Sequence, residues 1–199
     1  MIKYLGSKRA LLPEVLDAVT GGLVDEGSFD GGRAHHGLTV LDLFSGTSRV
    51  GHALKALGHR VVANDHNAYA LCLARCYVEA DREDVGARAS TLIAELNALA
   101  GKPGYFTETF CERARFFHPR NGARVDARAV AGRGLALGLE AAEAAGAVEV
   151  DVAYLDPPYN QHAYHAYYHV WETLVRGDEP EVYGVACKRL DTRGRQSAF

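Results

Sequence analysis

Leu38-Thr-Val-Leu-Asp-Leu-Phe44, followed by Ser45-Gly-Thr-Ser-Arg-Val-Gly51 and then by Arg60-Val-Val-Ala-Asn-Asp65, is the stretch from which the fold can be read. The first and last runs are short, apolar and of strand length. The segment between them is a small-residue turn leading into a helical stretch to about Leu57, punctuated by Gly58-His59. Asn67 onward, with Leu71, Leu73, Ala74 and Val78, has helical spacing. Strand, helix, strand and helix joined by short connections predict a parallel sheet covered on both faces, an α/β fold.

Upstream, Ser7 is placed to cap a helix whose apolar stripe is Leu11, Leu12, Val15, Leu16 and Val19, closed by Gly21-Gly22. From Gly27 to Gly37 the chain is rich in Gly, Asp and His, which reads as a loop. Downstream, an amphipathic helix is expected from about Val85 to Ala100, ended by Gly101, Pro103 and Gly104. Tyr105 to Arg133 is aromatic and arginine-rich without a clean period, so irregular structure with short helices is expected there. The alanine-rich stretch from about Ala129 to Ala145 is helical by propensity. Val148 to Leu155 reads as a third strand, and its end carries Asp156-Pro157-Pro158-Tyr159.

A chain of 199 residues with 48% hydrophobic content can bury one sizeable core. We expect a single domain over 1–199, with about 101–135 as a basic and aromatic insertion. No run of apolar residues is long enough to span a bilayer, and MIKYLGSKRALLPEVL lacks the apolar core of a secretory signal, so a cytoplasmic protein is expected. Cys72, Cys76, Cys111 and Cys187 fit neither a metal knuckle nor a disulfide framework, and Cys72 and Cys76 read as small hydrophobes on a buried helical stripe.

The net charge of −3 argues against bulk electrostatic capture of nucleic acid. The distribution is more informative. Arg113, Arg115, Arg120, Arg124, Arg128 and Arg133 are opposed only by Glu112 and Asp126, and Lys188, Arg189, Arg193 and Arg195 crowd the C-terminus. Local patches of this kind can face phosphates, and arginines on a solvated helix face are the plain alternative.

In an open parallel sheet, ligands bind beyond the carboxyl ends of the strands. Gly46 lets the backbone approach a ligand, and the helix start that follows offers amides. Asp65 is spaced from Gly46 as a ribose-binding acid would be, or it caps the next helix. In Asp156-Pro157-Pro158-Tyr159, consecutive prolines stop the strand and stiffen its tip. The Asp156 carboxylate and the Pro157 carbonyl can each accept one hydrogen of an exocyclic amine, and Tyr159 offers a face for stacking a base. His162, His165 and His169 share one helical face, but three ligands along one helix reach a single ion poorly. No metal site is therefore expected, and these residues read as a pocket wall.

Lys3-Tyr-Leu-Gly-Ser-Lys8, DLFSGTSRVG at Asp42 to Gly51, the acid Asp65 and DPPY at Asp156 to Tyr159 together resemble the D12 class of DNA adenine methyltransferases, in the family's order. Ser48 stands where that family's glycine motif often has a second glycine, a change that keeps the turn if its dihedrals are ordinary. The resemblance implies a Rossmann-like, doubly wound class I methyltransferase fold, with S-adenosyl-L-methionine as cofactor and double-stranded DNA as partner. It implies cofactor binding by Tyr4, Lys8, Asp42, Phe44, Gly46, Asp65 and Asp156, with Lys8 meeting the methionine carboxylate or holding the turn. It implies catalysis at Asp156, Pro157, Pro158 and Tyr159 on a flipped adenine, and we assign phosphate contacts to Arg113, Arg115, Arg120, Lys188 and Arg189. Relatives continue further past DPPY, so a truncated or minimal member is expected, either inactive alone or with its sheet completed by self-association or a second chain. The alternatives are an RNA amine methyltransferase and a catalytically inactive DNA-binding remnant.

Overall fold

The computed structural model describes residues 8, 10–21, 37–135, 148–157 and 164–194. Tyr4, Ser7, Pro158, Tyr159, His162, most of the glycine-rich stretch after Gly27 and the alanine-rich stretch beyond Leu135 lie outside them. The chain gathers into two compact units, Met1–Ala80 with Gly146–Pro157, and Asp81–Ala145 with Pro158–Phe199.

The first unit is built on a parallel sheet. Strand β1 (Thr39–Asp42) lies between β2 (Arg60–Ala63) and β3 (Val152–Tyr154), in the order β2-β1-β3. Val40 is in register with Val61 on one side and Val152 on the other, and Asp42 with Ala63 and Tyr154. All three strands are parallel, so Asp42, Asn64 and Asp156 come out at the same end of the sheet. The chain moves to one side of β1 for β2 and to the other for β3, which makes the carboxyl end of β1 a switch point in strand order. Among the described residues no strand pairs with the other side of β3.

Helices α1 (Leu12–Gly21) and α2 (Arg49–Ala56) supply the core of this unit. The α1 stripe packs as its spacing predicts, with Leu12, Val15, Leu16 and Val19 against Val40, Val50 and Leu54. Gly51 lets α2 sit close to the sheet, since a Cβ there would lie 3.2 Å from Val61 Cγ1 and 3.1 Å from Val78 Cγ2. Helix α3 (Ala68–Ala74) runs on into a π-helical turn at Arg75–Glu79. Its buried side is Tyr69, Ala70 and Ala74, so the buried stripe expected at Cys72 and Cys76 does not form: both thiols are exposed. Cys72 falls about half a turn from Ala70, on the opposite face.

The second unit contains α4 (Arg82–Ala98), a π-helical segment at Thr107–Arg113, α5 (Pro119–Leu135), α6 (Tyr164–Tyr167), α7 (His169–Arg176) and an antiparallel pair, β4 (Val182–Tyr183) with β5 (Lys188–Arg189). The irregularity expected between Tyr105 and Arg133 is therefore corrected to a π-helical segment and a helix of 17 residues. A π-helical segment is wider than an α-helix, which blurs a search at 3.6 residues per turn. Its first turn is also capped from a distance. The Asp126 carboxylate on α5 accepts the amides of Gly104, Phe106 and Thr107 at 2.8–2.9 Å, and the Thr107 hydroxyl at 2.6 Å. Phe106, Phe110, Cys111, Val170 and Cys187 form the core of this unit.

Among the described residues, no helix is long and apolar enough to cross a membrane.

Candidate functional site

Three acids are brought to the carboxyl end of the first unit's sheet. Asp42 ends β1, Asp65 follows β2 and Asp156 follows β3. Their mutual proximity shows in Asp42. Burial pushes its carboxyl up from 3.8 to about 6, the Gly51 amide opposes this, and the charges of Asp65 and Asp156 push it further up. Asp42 is 1% exposed, and its Oδ1 has no hydrogen-bond partner. A buried anionic oxygen left without a donor is costly unless a ligand supplies one.

The turn above Asp42 is tightly specified. Asn64 donates its amide to the Asp42 carbonyl at 2.9 Å and its side-chain nitrogen to the Leu43 carbonyl at 3.0 Å, while the Ser45 amide donates to the Asn64 carbonyl at 2.9 Å. Asp65 spans two segments. One carboxylate oxygen accepts the Gly46 amide at 2.9 Å, and the other accepts the Asn67 amide at 2.9 Å and its side-chain nitrogen at 3.0 Å. Asp65 thus holds the start of α3, as the capping reading expects, and it also ties that start to the glycine turn.

Gly46 has φ 51 and Ser48 has φ 54, both in the left-handed region. The ordinary dihedrals expected of Ser48 are not found. Serine carries here a conformation that glycine adopts freely, and which costs an L-residue about 1–2 kcal/mol. The Ser48 and Ser45 hydroxyls are buried and, like Asp42 Oδ1, make no hydrogen bond. Neither serine was among the cofactor residues expected from sequence. Spacing alone carries no sign of a hydroxyl aimed inward.

Lys8 closes the site at Asp156, with Nζ 2.8 Å from Oδ1. Burial pushes the Tyr154 phenol up, and Asp156 adds to this while Lys8 opposes it, so these three also share one neighbourhood. Phe44 is half-buried beside the turn, and Pro157 is half-buried at the strand tip. Lys8, Asp42, Phe44, Gly46, Asp65, Asp156 and Pro157 therefore belong to one compact unit, and Tyr4, Pro158 and Tyr159 are outside the described residues.

The basic residues divide. Arg113, Arg115 and Arg120 are exposed and Lys188 is partly so. Arg189 is not available to a phosphate: its side chain is 3% exposed and bound to Asp178 through two nitrogens, at 2.8 and 2.7 Å, and to Asp191 at 3.1 and 2.9 Å. The Arg189 guanidinium holds the Asp178 carboxyl below the usual carboxylate range. Arg193 of the same C-terminal patch lies over the Tyr183 ring, 5.6 Å from its centroid. His169 is buried, with each ring nitrogen 3.0 Å from a carbonyl oxygen, of Ala166 and Ala186, and burial pushes its pKa down.

A family profile described as D12 class N6 adenine-specific DNA methyltransferase matches residues 4–133 and 134–197. A stretch of 40 residues, 20% of this chain, is 48% identical to part of the modification methylase LlaI of Lactococcus lactis subsp. lactis and covers 6% of that protein's length. No solved structure matches the chain. The profile covers the glycine turn, Asp65 and Asp156 alike, and the chain belongs to the D12 class N6 adenine-specific DNA methyltransferase family.

Proposed function

We propose that this protein methylates the exocyclic amine of adenine in duplex DNA, using S-adenosyl-L-methionine on a Rossmann-like, doubly wound class I methyltransferase fold in the cytoplasm. The observation that carries the reading is the set of three carboxylates around the Gly46 turn, with the Asp42, Ser45 and Ser48 side chains each holding a buried oxygen that lacks a partner.

That set fits the cofactor. Its ammonium and sulfonium are cations suited to a pocket of carboxylates, and its ribose offers hydroxyls to an acid at the Asp65 position. Asp65 and Gly46 would hold the nucleoside end, and Asp42, Phe44, Lys8, Asp156 and Tyr4 the remainder. When bound, the cofactor supplies the methyl group. The chain's own work is on the amine: Asp156 Oδ and the Pro157 carbonyl accept its two hydrogens, which directs the nitrogen lone pair, and Tyr159 stacks the base. The target adenine leaves the duplex to reach them, at a cost of a few kcal/mol. Pro158 stiffens the tip. Arg113, Arg115, Arg120 and Lys188 are the proposed phosphate contacts, and Arg189 is withdrawn from that role.

Completion of the sheet along β3 by self-association or a second chain belongs to the same proposal. Size-exclusion chromatography of an active stable monomer contradicts it.

The decisive experiment is transfer of labelled methyl to adenine-containing duplexes and to structured RNA, with wild type and Asp156→Ala. Transfer to duplex by the wild type and its loss in the variant are expected. Activity on RNA alone, or an unaffected Asp156→Ala, overturns the reading, and calorimetry that detects no cofactor binding identifies an inactive remnant.

A further inference from the structure

The π-helical segment Thr107–Arg113 ends in an uncommon way. The Phe116 amide donates to the Phe110 carbonyl at 2.9 Å, across an Arg115 held at φ 58. Helices that end on a left-handed residue use glycine there in most cases, because a Cβ is strained. Arginine at this position costs on the order of 1 kcal/mol, and strain kept at one residue directs attention to its side chain.

The Arg115 side chain is exposed, and so are those of Arg113, Arg120 and Arg124. None of the four forms an ion pair with a described residue. The acid within this stretch is Glu112, so the turn is strongly cationic. Amid these charges stand two phenylalanines. Phe117 is anchored, its ring centroid 5.5 Å from Phe106 and 6.4 Å from Trp171. Phe116 is 47% exposed and rests on His169 with centroids 6.2 Å apart. His169 is itself buried, with its ring nitrogens 3.0 Å from the Ala166 and Ala186 carbonyl oxygens, so Phe116 is an apolar ring presented on a packed base.

We infer that this turn is a duplex-DNA contact in which Phe116 wedges against a base step while Arg113, Arg115, Arg120 and Arg124 hold the phosphates around it. The inference rests on the DNA reading above and assigns a role to a residue that the reading does not use. A ring among exposed guanidinium groups complements a polyanion whose interior is stacked aromatic faces. An apolar wedge between base steps opens the stack, and phosphate contacts offset the cost of unstacking.

The test is a salt titration of full-length protein binding to a fluorescein-labelled adenine-containing duplex. Arg115→Gly removes one cation and also the strained backbone. It is expected to unfold no more easily than wild type, to bind more weakly, and to show a log-affinity slope against log salt shallower by about 0.9. Phe116→Ala is expected to weaken binding about tenfold with the slope unchanged, as for loss of one stacked base. Phe116→Trp should restore affinity, with its indole fluorescence quenched by the duplex. Cofactor binding should be unchanged in all three. If Arg115→Gly and Phe116→Ala bind with wild-type affinity and slope, the role of the turn is overturned while the DNA reading stands. A wild type that binds cofactor but no duplex overturns both.

Discussion

Lys8 Nζ lies 2.8 Å from Asp156 Oδ1, so the acid at the tip of β3 takes its counter-ion from a residue that precedes α1 in the chain. The pair is shielded, with side chains 19% and 29% exposed. It joins the opening motif of the sequence to the Asp156-Pro157 strand tip, and it offsets part of the negative charge that Asp42, Asp65 and Asp156 concentrate at one end of the sheet.

Replacing Lys8 by methionine keeps the length of the side chain and removes its charge. We expect Lys8→Met to lose about 1 kcal/mol of stability at pH 7 in urea unfolding, with a smaller loss at high salt. A loss that does not respond to salt would show that Lys8 acts through packing instead.

Asp42 makes the stability of the ligand-free protein depend on pH in the opposite sense to an ordinary paired carboxylate. Its carboxyl titrates near 6 in the folded chain, against 3.8. A raised pKa means that folding favours the protonated acid, so its contribution is fully present below pH 3.8 and is lost as pH rises through 6. The difference is on the order of 3 kcal/mol. Asp42→Asn should flatten this component between pH 4 and 6.5, stabilise the empty protein at pH 7, and weaken cofactor binding. Denaturation across that pH range, with calorimetry at pH 7, checks all three.

Ser48 sits at φ 54 with a buried hydroxyl that has no partner. Ser48→Gly removes both costs and should raise unfolding stability by about 1 kcal/mol. If the hydroxyl serves the cofactor, affinity for S-adenosylmethionine falls in the same variant, and a thermal melt with and without cofactor separates the two effects.

Asp126 gathers three main-chain amides and a hydroxyl at the start of the π-helical segment. Removing a charged acceptor that satisfies several part-buried donors costs about 3 kcal/mol. Asp126→Ala should therefore shift the denaturation midpoint sharply, and Asp126→Glu should fail to restore it, because the longer side chain cannot place both oxygens on the same donors.

The parts of the fold that could be read in advance depend on short-range pattern. The runs at Leu38–Phe44 and Arg60–Asp65 became β1 and β2 because apolar residues of strand length between turn formers have few other outcomes. The α1 stripe formed for the same reason of periodicity. Tyr105 to Arg133 was opaque because its helices depend on a π-helical width and on a cap supplied by Asp126, which lies 19 residues beyond Thr107 in the chain. The β4–β5 pair, two residues per strand, is too short for alternation to register.

At the site, the residue types and their order were already present in the sequence, since an acid at each strand end and a proline-stiffened tip are local facts. Burial and pairing were not. Arg113 and Arg189 are identical side chains in basic stretches, yet one is solvated and the other lies in a cage made by Asp178 and Asp191. Charge is a property of the residue, and its availability to a phosphate is decided by what distant segments place around it. The raised Asp42 carboxyl, the left-handed Ser48 and the exposed Phe116 have the same origin: each arises from desolvation or backbone path, which only the folded chain determines.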